Sequence, residues 1–299
     1  MRNILSFLLL LSLVTAQAQS DEVNITIDTL AQNTYMLTGR GGNIGIYVGQ
    51  DKVFMIDDQF APLSKKIKET IETLTDKPIT YLVNTHMHGD HTGGNVNFNT
   101  DNTILIAQDN ARKRLKANGQ KKVSTNEMNQ KDFENSLPEI TFSEDLTFHD
   151  GEETLMLFHV HNAHTDGDVM IYFVNENVLH MGDTYFSGRY PYIDLNSGGT
   201  INGYIEAHKK ALMVIDSDTK IIPGHGEPSN RSELENYIKV LEDVKRTIQK
   251  EITAGKSLEE VKANNNLTSK YDAQYGTGYI NPERIREIIY LSLTASTKE

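Results

Sequence analysis

The 299-residue chain contains no cysteine. Disulfides, iron–sulfur clusters, thiolate zinc sites and a cysteine nucleophile are therefore excluded, and any chemistry falls to His, carboxylates, Ser, Lys or Tyr. Basic residues are scarce: 29 Lys and Arg stand against 41 Asp and Glu, a formal charge of −12. So acidic a surface repels phosphate backbones, so no nucleic acid is expected as a partner and a small-molecule substrate is. Long apolar runs are missing as well. Without some 18 consecutive apolar residues, no membrane-spanning helix is expected. The 38% of hydrophobic residues still suffices for a sizeable core.

The longest apolar run covers residues 4–14, after Met1-Arg2-Asn3 and before Ala16-Gln17-Ala18. A charged start, a short apolar run and a small-x-small site follow the order of a secretory signal peptide over residues 1–18, cleaved near Ala18. The expected destination is a bacterial periplasm or the exterior. No cysteine follows the cleavage site, so no lipid membrane anchor is expected.

Length alone suggests about two domains, but no linker divides the chain, and residues 19–299 read as one. Short strands are expected at 23–27, 35–37, 44–48 and 53–56, with Gly39 to Asn43 as a hairpin turn. A helix starts at Pro62 and carries Leu63, Ile67, Ile71 and Leu74 on one face. A strand at 79–83, another at 104–107 and a helix from about Asp109 follow. Residues 119–138 are polar and aperiodic and read as a surface insertion. Strands are then expected at 139–142, 154–161, 169–174 and 178–181. A helix at 201–214, a short strand at Ile221-Ile222 and two last helices complete the chain. The longer of these opens on a capping box, Ser232 with Glu235, and stops at Gly255; the other covers 282–293. Strands, helix, strand and helix occur twice in that order, which predicts two α/β halves with sheets face to face and helices outside.

The histidines carry the chemistry. His86, His88, Asp90 and His91 form His-x-His-x-Asp-His directly after a buried strand, and groups that bind or react favour loops beyond strand ends. His86 and His88, two apart in an extended segment, point to one side. A turn at Gly89 lets Asp90 and His91 address a second point nearby. Two adjacent ligand sets suit two metal ions, and zinc accepts imidazole and carboxylate. Three further ligand-type side chains, His164, Asp183 and His225, each follow an apolar strand.

Taken in order, Asp57-Asp58, His-x-His-x-Asp-His, His164, Asp183 and His225 resemble the metallo-β-lactamase superfamily over nearly the whole mature chain. The resemblance implies an α/β fold, a four-layer αββα sandwich with metals at one edge. It implies two Zn(2+) ions per chain: His86, His88 and His164 on the first, Asp90, His91 and His225 on the second, and Asp183 between them. Asp57 and Asp58 would support the ligands from behind. The implied activity is hydrolysis, a metal-bridging hydroxide attacking the carbonyl of an ester, thioester, lactone or β-lactam amide, with Asp90 orienting and able to relay a proton. Asp183 and Phe186 stand where one β-lactamase subclass has Cys and Lys, whereas a bridging Asp is typical of thioesterases and lactonases. Tyr190, Tyr192 and Ser197 are candidate substrate contacts. Two alternatives remain: a persulfide dioxygenase-like oxidoreductase with one iron, and a non-enzymatic periplasmic zinc-binding protein. His149 reads as a turn residue, and His159, His161, His180 and His208 read as structural or surface histidines.

Overall fold

The computed structural model describes residues 23–100 and 102–295, so the expected signal segment lies outside the described residues. The first sheet runs in order through β1 (Thr26–Thr29), β2 (Thr34–Thr38), β3 (Ile44–Val48), β4 (Val53–Ile56), β5 (Tyr81–Val83), β6 (Ile104–Gln108) and β7 (Ile140–Phe142). Strands β1 to β4 form an antiparallel meander, and β4 to β7 run parallel. The second sheet comprises β8 (Asp145–Asp150), β9 (Glu153–Val160), β10 (Asp168–Phe173), β11 (Val178–Phe186), β12 (Lys220–His225) and β13 (Ser229–Asn230). Its strands are likewise neighbours in chain order, and only the β11–β12 pair is parallel.

Side-chain alternation sorts the layers. In β4, Phe54 and Ile56 point into the core between the sheets, where they meet Leu157, Ile171 and Phe173 of the second sheet. Val53 and Met55 point the other way, onto Ile67 and Ile71 of the helix Ser64–Glu72. A strand buried on both faces has to be apolar throughout, and β4 is. The outer face of the second sheet is covered by the helices Ile201–Val214, Arg231–Thr253 and Pro282–Ala295, whose Ile205, Leu241 and Ile289 share one core with Met170 and Leu179. Helix, sheet, sheet and helix layers make the expected αββα sandwich. No helix among the described residues is long and apolar enough to cross a membrane.

Three local expectations are corrected. The supposed insertion at 119–138 is largely helical: Asp109–Ser124 and Gln130–Asn135 are both helices. They are joined through one apolar anchor, Phe133, whose ring lies so close that a Cβ on Gly119 would sit 2.4 Å from it. A single anchor leaves no periodicity to read. The 23-residue helix is capped by Asn230, whose side chain accepts from Glu233 N–H, rather than by Ser232. Pairing of Ser229 and Asn230 with β12 holds the chain extended up to that residue, and the capping box occurs instead at Ser257 with Glu260. His149 is not in a turn but inside β8, opposite Thr154.

Candidate metal centre

Because β4 and β5 are parallel neighbours, their carboxyl ends open at the same edge and deliver Asp57 and the segment from His86 to His91 together. Across the sandwich, β11 and β12 bring Asp183 and His225, and the β9–β10 turn brings His164. Asp183 lies within β11 rather than beyond it, a correction to the expected strand end. The pairing of β11 with β12 slips between His180 and Gly182, and again before Phe186. At that irregularity Gly182 adopts φ +51°, with Thr85 packed against it. The distorted segment turns Asp183 towards the histidines.

The first cluster is made of nitrogens facing one another. His88 Nδ1 lies 3.1 Å from His86 Nε2 and 2.8 Å from His164 Nε2. Asp183 Oδ2 stands 3.8 and 3.6 Å from those two Nε2 atoms. The opposite nitrogen of every ring is engaged. His86 Nδ1–H donates to Thr85 Oγ1 at 3.0 Å, and His164 Nδ1–H donates to the Tyr192 carbonyl at 2.8 Å. His88 is reversed and donates from Nε2 to Asp194 Oδ2 at 3.1 Å. With the three rings neutral, the converging nitrogens carry lone pairs, with no proton between them. Such an array repels itself unless a cation sits at its centre. Ligands at about 2.0–2.1 Å in a tetrahedral zinc shell stand roughly 3.3 Å apart, so the donor set fits that ion. Burial pushes His164 down to about 4 and His86 well below its ordinary value, which keeps both rings neutral and able to ligate.

The second cluster sits alongside. His91 Nε2 and His225 Nε2 are 3.4 Å apart, and Asp90 Oδ2 lies 3.3 Å from His225 and 3.7 Å from His91. Asp183 Oδ1 is 3.0 Å from His91 and 3.3 Å from His225, and this buried oxygen has no aligned hydrogen bond. Each cluster thus receives one oxygen of Asp183. Burial opposes charge on Asp183, yet His91 and His225 hold its carboxyl well below the usual range. Burial would likewise lower His225, but Asp183 and Asp90 push it up to about 9. The carboxylates of this cluster call for positive charge.

Asp57 braces both clusters. Its Oδ2 accepts from His91 Nδ1–H and from Thr85 Oγ1–H, and its Oδ1 accepts from Thr85 N–H, all at 2.7 Å. It therefore orients His91 directly and His86 through Thr85. Asp57 occupies the left-handed region at φ +63°, uncommon for a residue with a side chain. Asp58 meets the ligand segment through its backbone, its N–H donating to the His91 carbonyl at 2.9 Å, while its Oδ1 accepts from Gly94 N–H at 2.7 Å.

Of the expected substrate contacts, only the Tyr192 ring faces the clusters, 5.9 Å from His88 and 5.7 Å from His164 between centroids, with Tyr279 stacked edgewise beyond it. Tyr190 is buried and turned away, its hydroxyl donating to Asp272 Oδ1. Ser197 is buried and gives its N–H to Asp194 Oδ1. His159, His180 and His208 stay outside the clusters, bonded respectively to the Asp168 carbonyl, the Gly182 N–H and the Tyr204 carbonyl. His161 pairs with Glu144.

Sequence reasoning passed over Thr85, Asp194 and Gly42. The hairpin Gly39 to Asn43 is the turn expected, but it also walls the second cluster: a Cβ on Gly42 would fall 2.0 Å from His91 Cε1. Asn43 ties the same hairpin to the carbonyls of Pro223, Gly224 and Gly226 around His225. A glycine run between two strands signals a turn and nothing more, and only Thr85, next to His86, has a position that could have marked it.

Residues 37–225 match the family described as the metallo-beta-lactamase superfamily. A hydroxyacylglutathione hydrolase from Pelagibacter ubique (strain HTCC1062) is 31% identical over 166 residues, 53% of this chain; the chain spans 57% of that relative's length. Among solved structures, the metallo-beta-lactamase from Pontibacter korlensis is similar with a TM-score of 0.60 at 16% identity, over 74% of this chain and 100% of its own. The metallo-beta-lactamase IND-7 is similar with 0.60 at 19% identity, over 75% and 100%. At those identities the likeness is one of fold.

Proposed function

The chain belongs to the metallo-β-lactamase superfamily, and from that premise we propose that it is a dinuclear zinc hydrolase acting on a carbonyl compound. The observation that carries this reading is Asp183, which offers one carboxylate oxygen to each histidine cluster. Zinc ions held by the two clusters would polarise a substrate carbonyl and lower the pKa of a water towards about 7. His86, His88 and His164 hold one ion, and Asp90, His91 and His225 the other. Asp90, whose side chain is 30% exposed, is the carboxylate open to the substrate side and able to take up or return a proton there. Tyr192 flanks the first cluster and gives an acyl group an apolar face to lie against.

A second set of ligands, with His91 held by Asp57, supports two ions over a single iron that would leave that set idle. The hydroxyacylglutathione hydrolase relative puts thioesters first among candidate substrates. The test is a panel of thioesters, esters, lactones and β-lactams on the full chain with its metal quantified, before and after chelation. Turnover that vanishes on chelation and returns with zinc is expected. Two equivalents of zinc with no turnover across the panel would instead make it a binding protein, and iron with oxygen uptake on a persulfide would make it an oxidoreductase.

A further inference from the structure

Resting on the metal-centre reading, we propose that Asp194 is a positioning residue that selects the ring tautomer of His88 and thereby sets the affinity of the first metal site. His88 is the odd member of its cluster: His86 and His164 present Nε2, whereas His88 presents Nδ1. For Nδ1 to offer a lone pair, the proton must reside on Nε2, and the group that receives it is Asp194 Oδ2 at 3.1 Å. A carboxylate can only accept, so it permits one tautomer.

Asp194 is held firmly enough for this task. Its Oδ1 accepts from Asn196 N–H at 3.1 Å and Ser197 N–H at 3.2 Å, capping the short helical turn Leu195–Ser197. Its own N–H donates to the His164 carbonyl, and its carbonyl accepts from Gly199 N–H, both at 2.9 Å. Two residues earlier, the Tyr192 carbonyl receives the Nδ1–H of His164. One loop therefore orients two of the three histidines of the first cluster, while Asp57 serves His91 and His86 from the opposite side. The second site owes nothing to Asp194.

Asp194→Asn separates this role from simple capping. Asn is as good a cap as Asp, so its oxygen keeps the two backbone N–H groups, and its NH2 then faces His88 Nε2. That donor demands a lone pair on Nε2 and moves the proton to Nδ1, the wrong tautomer for ligation. Zinc titration of the full chain against a chromophoric chelator is expected to show the first site weakened about 10–100-fold in Asp194→Asn, with the second site held within about threefold. Thermal unfolding of the metal-free chain should be unchanged. In the same variant, the nitrogen chemical shifts of His88 should report Nδ1 protonated. Asp194→Ala, which leaves water to take the Nε2 proton but removes the cap, should weaken the first site and also lower the unfolding temperature. The proposal is overturned if Asp194→Asn binds two zinc ions as the parent does, or if both sites weaken equally. A parent chain that binds no zinc would instead remove the metal-centre reading on which the role depends.

Discussion

Gly42→Ala is the sharpest probe of the second cluster. The added methyl would lie 2.0 Å from His91 Cε1 and 2.3 Å from Nε2. Carbon atoms in contact settle at about 3.5–4.0 Å, so something must give way by roughly 1.5 Å. The hairpin backbone is fixed: Gly42 N–H donates to the Asp90 carbonyl at 3.0 Å, Gln59 Nε2 donates to the Gly42 carbonyl at 2.7 Å, and Asn43 N–H donates to the Gly224 carbonyl at 2.7 Å. The ring must therefore retreat, against its 2.7 Å bond to Asp57. Metal–ligand distances tolerate only about 0.2 Å, so such a retreat removes His91 from the ligand set. Zinc retained after equilibrium dialysis should fall from two ions per chain to one, because the three atoms nearest the added methyl all belong to His91 of the second cluster. Overpacking should cost the fold only about 1–3 kcal/mol. Gly89→Ala is the matched control: it lies between His88 and Asp90, and a Cβ there meets nothing within 4 Å. Two zinc ions with parental affinity in Gly42→Ala, or an equal loss in Gly89→Ala, would refute the reasoning.

Asp57→Asn turns one of the two accepting oxygens into a donor, and at least one of the three buried donors it serves loses its partner. A loss of about 1–3 kcal/mol in unfolding free energy is expected, with zinc affinity down about 10–100-fold at both sites; unfolding curves and zinc titrations that match the parent would contradict it. His208, far from any ligand role, is fully buried, and that burial pushes it down to about 4. The unfolded chain takes up that proton near 6.5, so between pH 6.5 and 4 the unfolded state binds more protons and stability falls as pH falls. The contribution is about 3 kcal/mol. His208→Leu abolishes it, so in urea unfolding the variant should gain about 3 kcal/mol relative to the parent between pH 7 and pH 4; a constant difference across that range would show that the histidine is not held neutral.

Much of the site could be read from residue order alone. His-x-His-x-Asp-His, extended up to His88 and turned at Gly89, could be read as serving two adjacent points, and it does. His164, Asp183 and His225 could be named because each was expected just after an apolar strand, although His225 proved to be the last residue of its strand and Asp183 to sit inside its own, at a slip in the pairing that no composition marks. The layers were legible from alternation: β4 is apolar on both faces and has to be covered twice. The helix Gln130–Asn135 was not, since Phe133 is its single buried anchor and one residue has no period.

The chain's own order thus determined which side chains could ligate and how many layers would enclose them, because both follow from contacts between near neighbours and from alternation along each strand. Which nitrogen His86, His88, His91 and His164 turn inward was decided only in three dimensions. That choice depends on what receives the opposite N–H, and the receivers are Thr85, Asp57, the Tyr192 carbonyl and Asp194. Apart from Thr85, each comes from a segment distant in sequence: Asp57 reaches His91 through the pairing of β4 with β5, the Tyr192 carbonyl reaches His164 from the loop after β11, and Asp194 meets His88 only when the two sheets close face to face.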